Sequence, residues 1–510
     1  MHKVVRTGQV DANGLRVLLD TRHDLLDERT DVDGSFACDQ GPFRDYRRTV
    51  ASEEDPNGSF TFVETTEFTL ALPIWGALFV LPIKAAVRKR HEGTNFWWAP
   101  PARLDQRASL VLALLCTVSL VAGYLGTLIT QTITFAASEF GTSKGTQGTT
   151  LAAVRIGVLL SLVLAGIADR RGRRRMLLGC AVAGCLAAAV GAVAPNMIAL
   201  GATQTFSRAF STALALLIAV VAAEEMPAGA RAYAVSVLAM TAALGAGICL
   251  MVLPVADSGL RAWRILYVVP LLALPLIRAV ARSLPESRRY AAPHASAPVT
   301  GHGRRLWLLA ASGFLTSLFV APAAQFQNEF LRTEEHFSAL KITLFTLGTN
   351  TPGGIGIVVG GKLADLRGRR LIGAMGLTLG AGLTVVMFLT SGPQIWFWSL
   401  AAAVLGAATV PALGVYGPEL FPTSLRGRAN GVISLVSVVG SGIGLLAAGR
   451  MADHFGSLGP GLAVLFVGPL LVAVLVLVAY PETAKVELEE LNPEDARLDQ
   501  AAPPDPPVLA

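Results

Sequence analysis

Acids and arginines recur in matched sets along this 510-residue chain. "ADRRGRRR" (168–175) is answered by "ADLRGRRL" (364–371), an offset of 196. "EEMPAGAR" (224–231) is answered by "ELFPTSLR" (419–426) at 195, and "SLPESRR" (283–289) by "AYPETAK" (479–485) at 196. Asp169, Glu224 and Glu286 thus have counterparts in Asp365, Glu419 and Glu482. Acids set beside arginines make charge-assisted hydrogen bonds. At the edge of a low-dielectric layer such pairs can favour one conformation over another. Two further arginines stand inside apolar runs, Arg208 near the middle of its span in "TQTFSRAFSTA" and Arg155 in the outer third of its span in "LAAVRIGVLL", close enough to the outer surface to snorkel. A guanidinium there needs an anion or several acceptors. Arg208 has no acid in its span, so either the ligand supplies the anion, or carbonyls and the hydroxyls of Thr203, Thr205 and Ser207 satisfy it.

The elements that carry these residues are membrane spans. The chain is 53% hydrophobic and only 15% charged, well below the quarter or so charged in soluble domains. Apolar runs of about twenty residues, the length that crosses ~30 Å of hydrocarbon, fall at 108–137, 149–168, 175–194, 196–222, 232–254, 264–282, 306–328, 342–362, 371–391, 394–417, 429–449 and 459–480. Every arginine-rich loop lies on one side of these twelve spans, which the positive-inside rule makes cytoplasmic. The core N-terminus and the C-terminus are therefore expected in the cytoplasm of a multi-pass cell-membrane protein. Net charge of +6 serves orientation, and no nucleic-acid partner is expected. The five cysteines fit no metal site or disulfide framework. No metal, cofactor, catalytic residue or enzymatic activity is expected, because no span holds a nucleophile–base or paired-carboxylate constellation.

The repeated motifs divide the chain. Residues 105–282 and 306–480 are six-helix halves joined by a cytoplasmic linker, 283–305, and followed by a cytoplasmic tail, 481–510. Parallel repeats of this kind imply a midplane cavity opened by rocking of the halves. Residues 1–65 form a polar extension, with a β-hairpin over 47–64 around an Asn-Gly turn. Residues 66–104 are a hydrophobic segment and linker. Within it, 68–83 is either a thirteenth span, placing the extension outside, or an interfacial or re-entrant helix with the extension inside. "NFWWAPP" (95–101) suits an aromatic interface anchor.

Over about residues 105–485 the chain resembles a major facilitator superfamily transporter. The motifs that carry the resemblance are "GIADRRGRRR", "GGKLADLRGRR", "PESRR", "YGPELFPTSLRGRANG" (416–431) and "PETAKVELEEL" (481–491). The last three point to the sugar-porter and metabolite–proton symporter branch. The resemblance implies an all-α, twelve-helix fold and a cytoplasmic gate that is closed when the transporter faces outward. By motif position its members are Asp169, Arg173, Glu224, Arg231 and Glu286 in the first half. In the second half they are Asp365, Arg369, Glu419, Arg426 and Glu482.

The resemblance also implies a secondary active transporter for a small polar metabolite, an organic anion or a sugar-like compound, with protons as coupling ion and a monomeric state. Sugar porters often carry an aspartate in helix 1; here "GYLGTL" (123–128) has Leu125 at that place, beside Tyr124. The substrate-contact candidates are Arg208, Arg155, Tyr124, Gln325, Gln327, Asn328 and Asn350, the last before a Pro-Gly-Gly break in helix 8. Glu139 and Glu329 are the titratable groups nearest the outer ends of helices 1 and 7. Alternatives are a drug-efflux antiporter, against which the absent glycine-proline motif of helix 5 counts, and a transporter-like membrane sensor.

Overall fold

The computed structural model describes residues 1–89, 100, 103–227, 230–286, 303–414, 416, 420–421 and 423–482. The chain opens with a small sheet: β1 (His2–Val10), β2 (Asp27–Thr30), β3 (Phe36–Gln40), β4 (Phe43–Glu54) and β5 (Phe60–Leu70). Their order is β1-β5-β4-β3-β2, all antiparallel. The hairpin expected over 47–64 is β4–β5, closed by Asp55–Ser59 with Gly58 at φ +75°. It is one part of the sheet, and β5 continues through residue 65 to Leu70.

The period-two alternation of β5 turns Phe62, Glu64, Thr66 and Phe68 inward. The buried Glu64 is tolerated because Arg48, fully enclosed, lies 3.3 Å away and also holds Glu28 at 2.6 Å. Helix α1 (Ala12–Leu19) is capped by Asp11, which accepts from the Gly14 amide. Helix α2 (Gly76–Arg88) covers the sheet with Ile83, Ala86 and Val87, and Arg22 donates to the Val87 carbonyl at its end. Thirteen residues of helix extend about 20 Å, too short to cross the hydrocarbon. Its other face leaves Leu78 and Leu81 exposed. The Trp75 indole, just ahead of α2, donates to the Ala113 carbonyl and Thr117 of the first long helix, so the start of α2 is anchored to the helical core. Arg103 pairs with Asp27 at 2.9 Å and fixes the sheet to the base of that helix.

The core consists of α3 (Gln106–Phe140), α4 (Lys144–Arg171), α5 (Arg173–Gly191), α6 (Met197–Glu225), α7 (Arg231–Val252) and α8 (Arg264–Ser283), then α9 (Gly303–Glu334), α10 (Ala339–Asn350), α11 (Gly353–Arg367), α12 (Arg369–Leu389), α13 (Gln394–Leu413), α14 (Thr423–Phe455) and α15 (Leu458–Ala479). Eleven described helices are long and apolar enough to cross a membrane. The twelfth expected span is the pair α10–α11, divided at Thr351 and Pro352. Proline has no amide for the helical ladder, so the "TNTPGG" stretch breaks the helix where expected.

The two halves repeat in their packing. In the first, α3 crosses α7 at Gly245, where a Cβ would run into the Leu120 carbonyl. In the second, α9 crosses α14 at Gly440, where a Cβ would meet the Phe314 carbonyl at 2.5 Å. Gly245 and Gly440 are 195 positions apart. Small residues at such crossings let backbones approach closely, the main source of packing between helices in lipid.

Candidate functional site: two gates and a pair of midplane arginines

Consecutive helices run in opposite directions, so the arginine-rich loops share one side and Glu139, Lys144 and Glu334 lie toward the other, the far side. On the arginine-rich side the gate candidates make contacts within their own half. Arg173 pairs with Glu224. Glu286 accepts from the Arg174 amide at 3.0 Å, and Glu482 from the Arg369 and Arg370 amides at 2.9 and 3.3 Å. Each glutamate thus caps the positive start of a helix, α5 or α12. Arg107 adds pairs with Glu225 and a bond to the Glu286 carbonyl. The side chains of Asp169, Arg231, Asp365 and Arg426, and Glu419 as a whole, lie outside the described residues. So do the "NFWWAPP" anchor save Pro100, most of the 283–305 linker and the tail from 483.

Among the described residues, the hydrogen bonds that join the halves lie toward the far side. Lys144 pairs with Glu334 at 2.6 Å. Arg332 pairs with Asp257 at 3.0 Å, and Asp257 also accepts from the Ala339 amide. Asp453 accepts from Ser143 and from the Gly145 amide. Deeper in, Gln325 accepts from Thr130 at 2.6 Å and Asn328 donates to Gln131 at 2.6 Å. Gln325 and Asn328, expected as substrate contacts, are therefore engaged in this closure. Gln327 is half-buried beside them, with Nε2 unbonded among the described residues. Asn350 is exposed at the α10–α11 break, and Tyr124 is buried in the first half, its hydroxyl donating to the Leu266 carbonyl. Glu139 accepts from Trp263 and Arg264 within the first half, beside a far-side pocket of about 470 Å³.

The closure set of Lys144, Glu334, Asp257, Arg332 and Asp453 was not identified from the sequence. Asp257 and Asp453 do stand 196 positions apart and Glu334 stands 195 after Glu139, but Lys144 and Arg332 have no such counterpart, and the pairs form only when the two halves are assembled.

Arg155 and Arg208 come together at the midplane. Each stands eleven residues beyond the far-side start of its helix (155 − 144 and 208 − 197), about 16 Å deep at 1.5 Å per residue. The helices meet there at Gly157, whose Cβ would touch the Thr205 carbonyl and Arg208. The close crossing at Gly157 brings the two positive charges into one neighbourhood. Arg208 donates to the Gly126 carbonyl at 2.6 Å, while its Nε has no partner among the described residues. Thr203, Thr205 and Ser207 spend their hydroxyls on the Leu200, Gly201 and Gly184 carbonyls. Arg155 makes no hydrogen bond or ion pair among the described residues. Two like charges so placed are costly without an anion between them.

Residues 84–290 match the family model of the sugar (and other) transporters, and residues 306–503 match that of the Major Facilitator Superfamily. The chain is 26% identical to a chloramphenicol resistance protein of Streptomyces lividans over 365 residues, 68% of this chain and 89% of the relative. It is 35% identical to solute carrier family 22 member 7 of Bos taurus over 127 residues, 24% of this chain and 22% of the relative. The fold is that of the E. coli xylose transporter XylE in its inward open conformation, with a TM-score of 0.63 at 17% identity over 76% of this chain and 99% of the other. Both halves and the helical architecture lead to one conclusion: the chain belongs to the major facilitator superfamily, as a sugar-porter-like membrane transporter.

Proposed function

We propose that this secondary transporter moves a small organic anion across the cell membrane by alternating access, driven by protons, and that its arginine-rich side is cytoplasmic. The observation that carries the anion reading is the Arg155–Arg208 pair, two midplane guanidiniums with open donors and no carboxylate bonded to them among the described residues. A carboxylate substrate would accept from both and relieve their repulsion. The closed far side, joined across the halves by Lys144–Glu334, Arg332–Asp257 and Asn328–Gln131, supports an inward-facing state. In the outward-facing state the motif acids and arginines of the two halves meet instead. A shift in melting temperature with small mono- and dicarboxylates, and none with neutral sugars, tests the substrate class. Labelling of a cysteine at position 30 from the cytoplasm alone tests the orientation.

A second reading is drug efflux, favoured by the similarity to a chloramphenicol resistance protein. Chloramphenicol carries no anionic group, so an Arg208→Gln variant that still exports it fully would favour this reading over the first.

A further inference from the structure

Glu329 lies inside the far-side closure with no basic partner bonded to it. It is 4% exposed, and among the described residues its Oε2 makes no hydrogen bond. Thr134 of α3 and Gln147 of α4 face it from the other half. Thr134 Oγ1 and Gln147 Oε1 are themselves buried without partners. Side chains from three helices, each with an oxygen unbonded among the described residues, therefore face one another. An ionised carboxylate there is costly through lost hydration. A proton on Glu329 removes the charge and lets the carboxyl donate as well as accept.

The charged groups facing Glu329 are Lys144 from α4 and Glu334 one turn further along α9. These two bond each other at 2.6 Å, so the lysine is already committed. Arg332 is turned to Asp257, and Asp453 of α14 holds Ser143 and the Gly145 amide. The segment that carries Glu329 is irregular. The helix is interrupted at Phe326, resumes over Gln327–Glu329, and then winds as a π-helix over Phe330–Glu334. Single π turns inside helices occur frequently at functional sites.

We propose that Glu329 is a proton-binding site, and that the far side of the transporter closes only over its neutral carboxyl. The carboxylate takes one proton from the far-side solution while that side is open. The O–H so formed donates into the Thr134–Gln147 cluster as the halves meet. Loss of the proton leaves a buried charge that drives the halves apart. This rests on the alternating-access reading and adds to it the residue through which protons act on the cycle.

The sign of the pH dependence separates Glu329 from its neighbours. Asp257, Glu334 and Asp453 hold the closure through ionised carboxylates, so control by them would open the far side in acid. Control by Glu329 closes the far side in acid and opens it as pH rises. The experiment uses the full-length protein in proteoliposomes with Ala339→Cys, a fully buried closure position, and a membrane-impermeant maleimide on the far side, with the parent chain as control for native cysteines. Labelling is followed from about pH 4 to about pH 9 and corrected for reagent reactivity with a permanently exposed cysteine. The expected result is a several-fold rise in corrected labelling with pH, and low, pH-independent labelling after Glu329→Gln. Labelling that is flat or falls with pH in the Glu329 protein overturns the proposal without recourse to the variant. So does a Glu329→Gln protein that keeps the rise. Anion counterflow at equal pH in the same vesicles tests transport separately; its absence would count against the transport reading while the labelling still judges Glu329.

Discussion

Gly172 and Gly368, 196 positions apart, hold one backbone conformation, with φ +98° at both. Each is the single residue between two helices and faces a glutamate from its own half. A Cβ on Gly172 would lie 3.0 Å from Glu286 Oε2, and one on Gly368 would lie 2.8 Å from Glu482 Oε2. The repeat visible in the motifs is therefore also a repeat of local geometry: a glycine turn, a helix start and a carboxylate cap.

That geometry makes alanine costly at both places. A side chain at this φ is strained whatever room it has, by about 1–3 kcal/mol. It would also displace the glutamate from the helix amides. Gly172→Ala and Gly368→Ala should each lower the melting temperature of the purified protein. Gly179→Ala, in the helical stretch of α5 with open space around the position, should leave it unchanged or raise it, since alanine is the better helix former by about 1 kcal/mol. Equal melting of all three variants would show that the turn carries no strain.

The Lys144–Glu334 pair joins the halves with both side chains about four-fifths buried. Lys144→Gln should raise far-side labelling of a cysteine at Ala339 by about two- to five-fold, the effect of roughly 0.5–1 kcal/mol on a two-state equilibrium. The swapped pair, Lys144→Glu with Glu334→Lys, should recover most of the closure. A swap that labels as strongly as the single variant would remove this pair from the closure.

In the sheet, Tyr46 donates to Glu28 at 2.6 Å. Burial, followed by the charge of Glu28, holds its phenol well above the ordinary value of 10.0. The folded form thus keeps a proton that the unfolded chain releases. The stabilisation is complete below about pH 10 and is lost as pH rises further. Limited proteolysis of residues 1–89 should accelerate above that pH, and Tyr46→Phe should flatten the dependence. The same alkaline acceleration in the variant would place its origin elsewhere.

The long helices were legible because hydropathy alone decides a span, and Pro352 marks the one that is divided. The sheet was legible only at its Asn-Gly turn. Its interior is built from Arg48, Glu28 and Glu64, residues that read as solvent-facing until their mutual pairing is seen. α2 was ambiguous for a related reason: its apolar residues serve both the sheet, through Ile83, and the core or lipid, through Trp75 and Leu78. At the midplane, Arg155 and Arg208 were visible as costly charges in separate helices, and their common depth follows from two helix starts that only the structure fixes. The far-side closure was hidden, since the acids Asp257 and Asp453 repeat at 196 but their partners do not: Arg332 and Lys144 have no counterpart in the other half, and the pairs form only between halves.

The most direct measurement is uptake of labelled carboxylates into proteoliposomes under an inward proton gradient, with Arg208→Gln and Arg155→Gln beside the parent chain. The expected result is accumulation of an anion by the parent chain, with a loss of at least about ten-fold in each variant, the usual weight of a hydrogen bond to a charged group. Parent-chain transport of neutral sugars alone, at a rate indifferent to Arg208, would contradict the anion site.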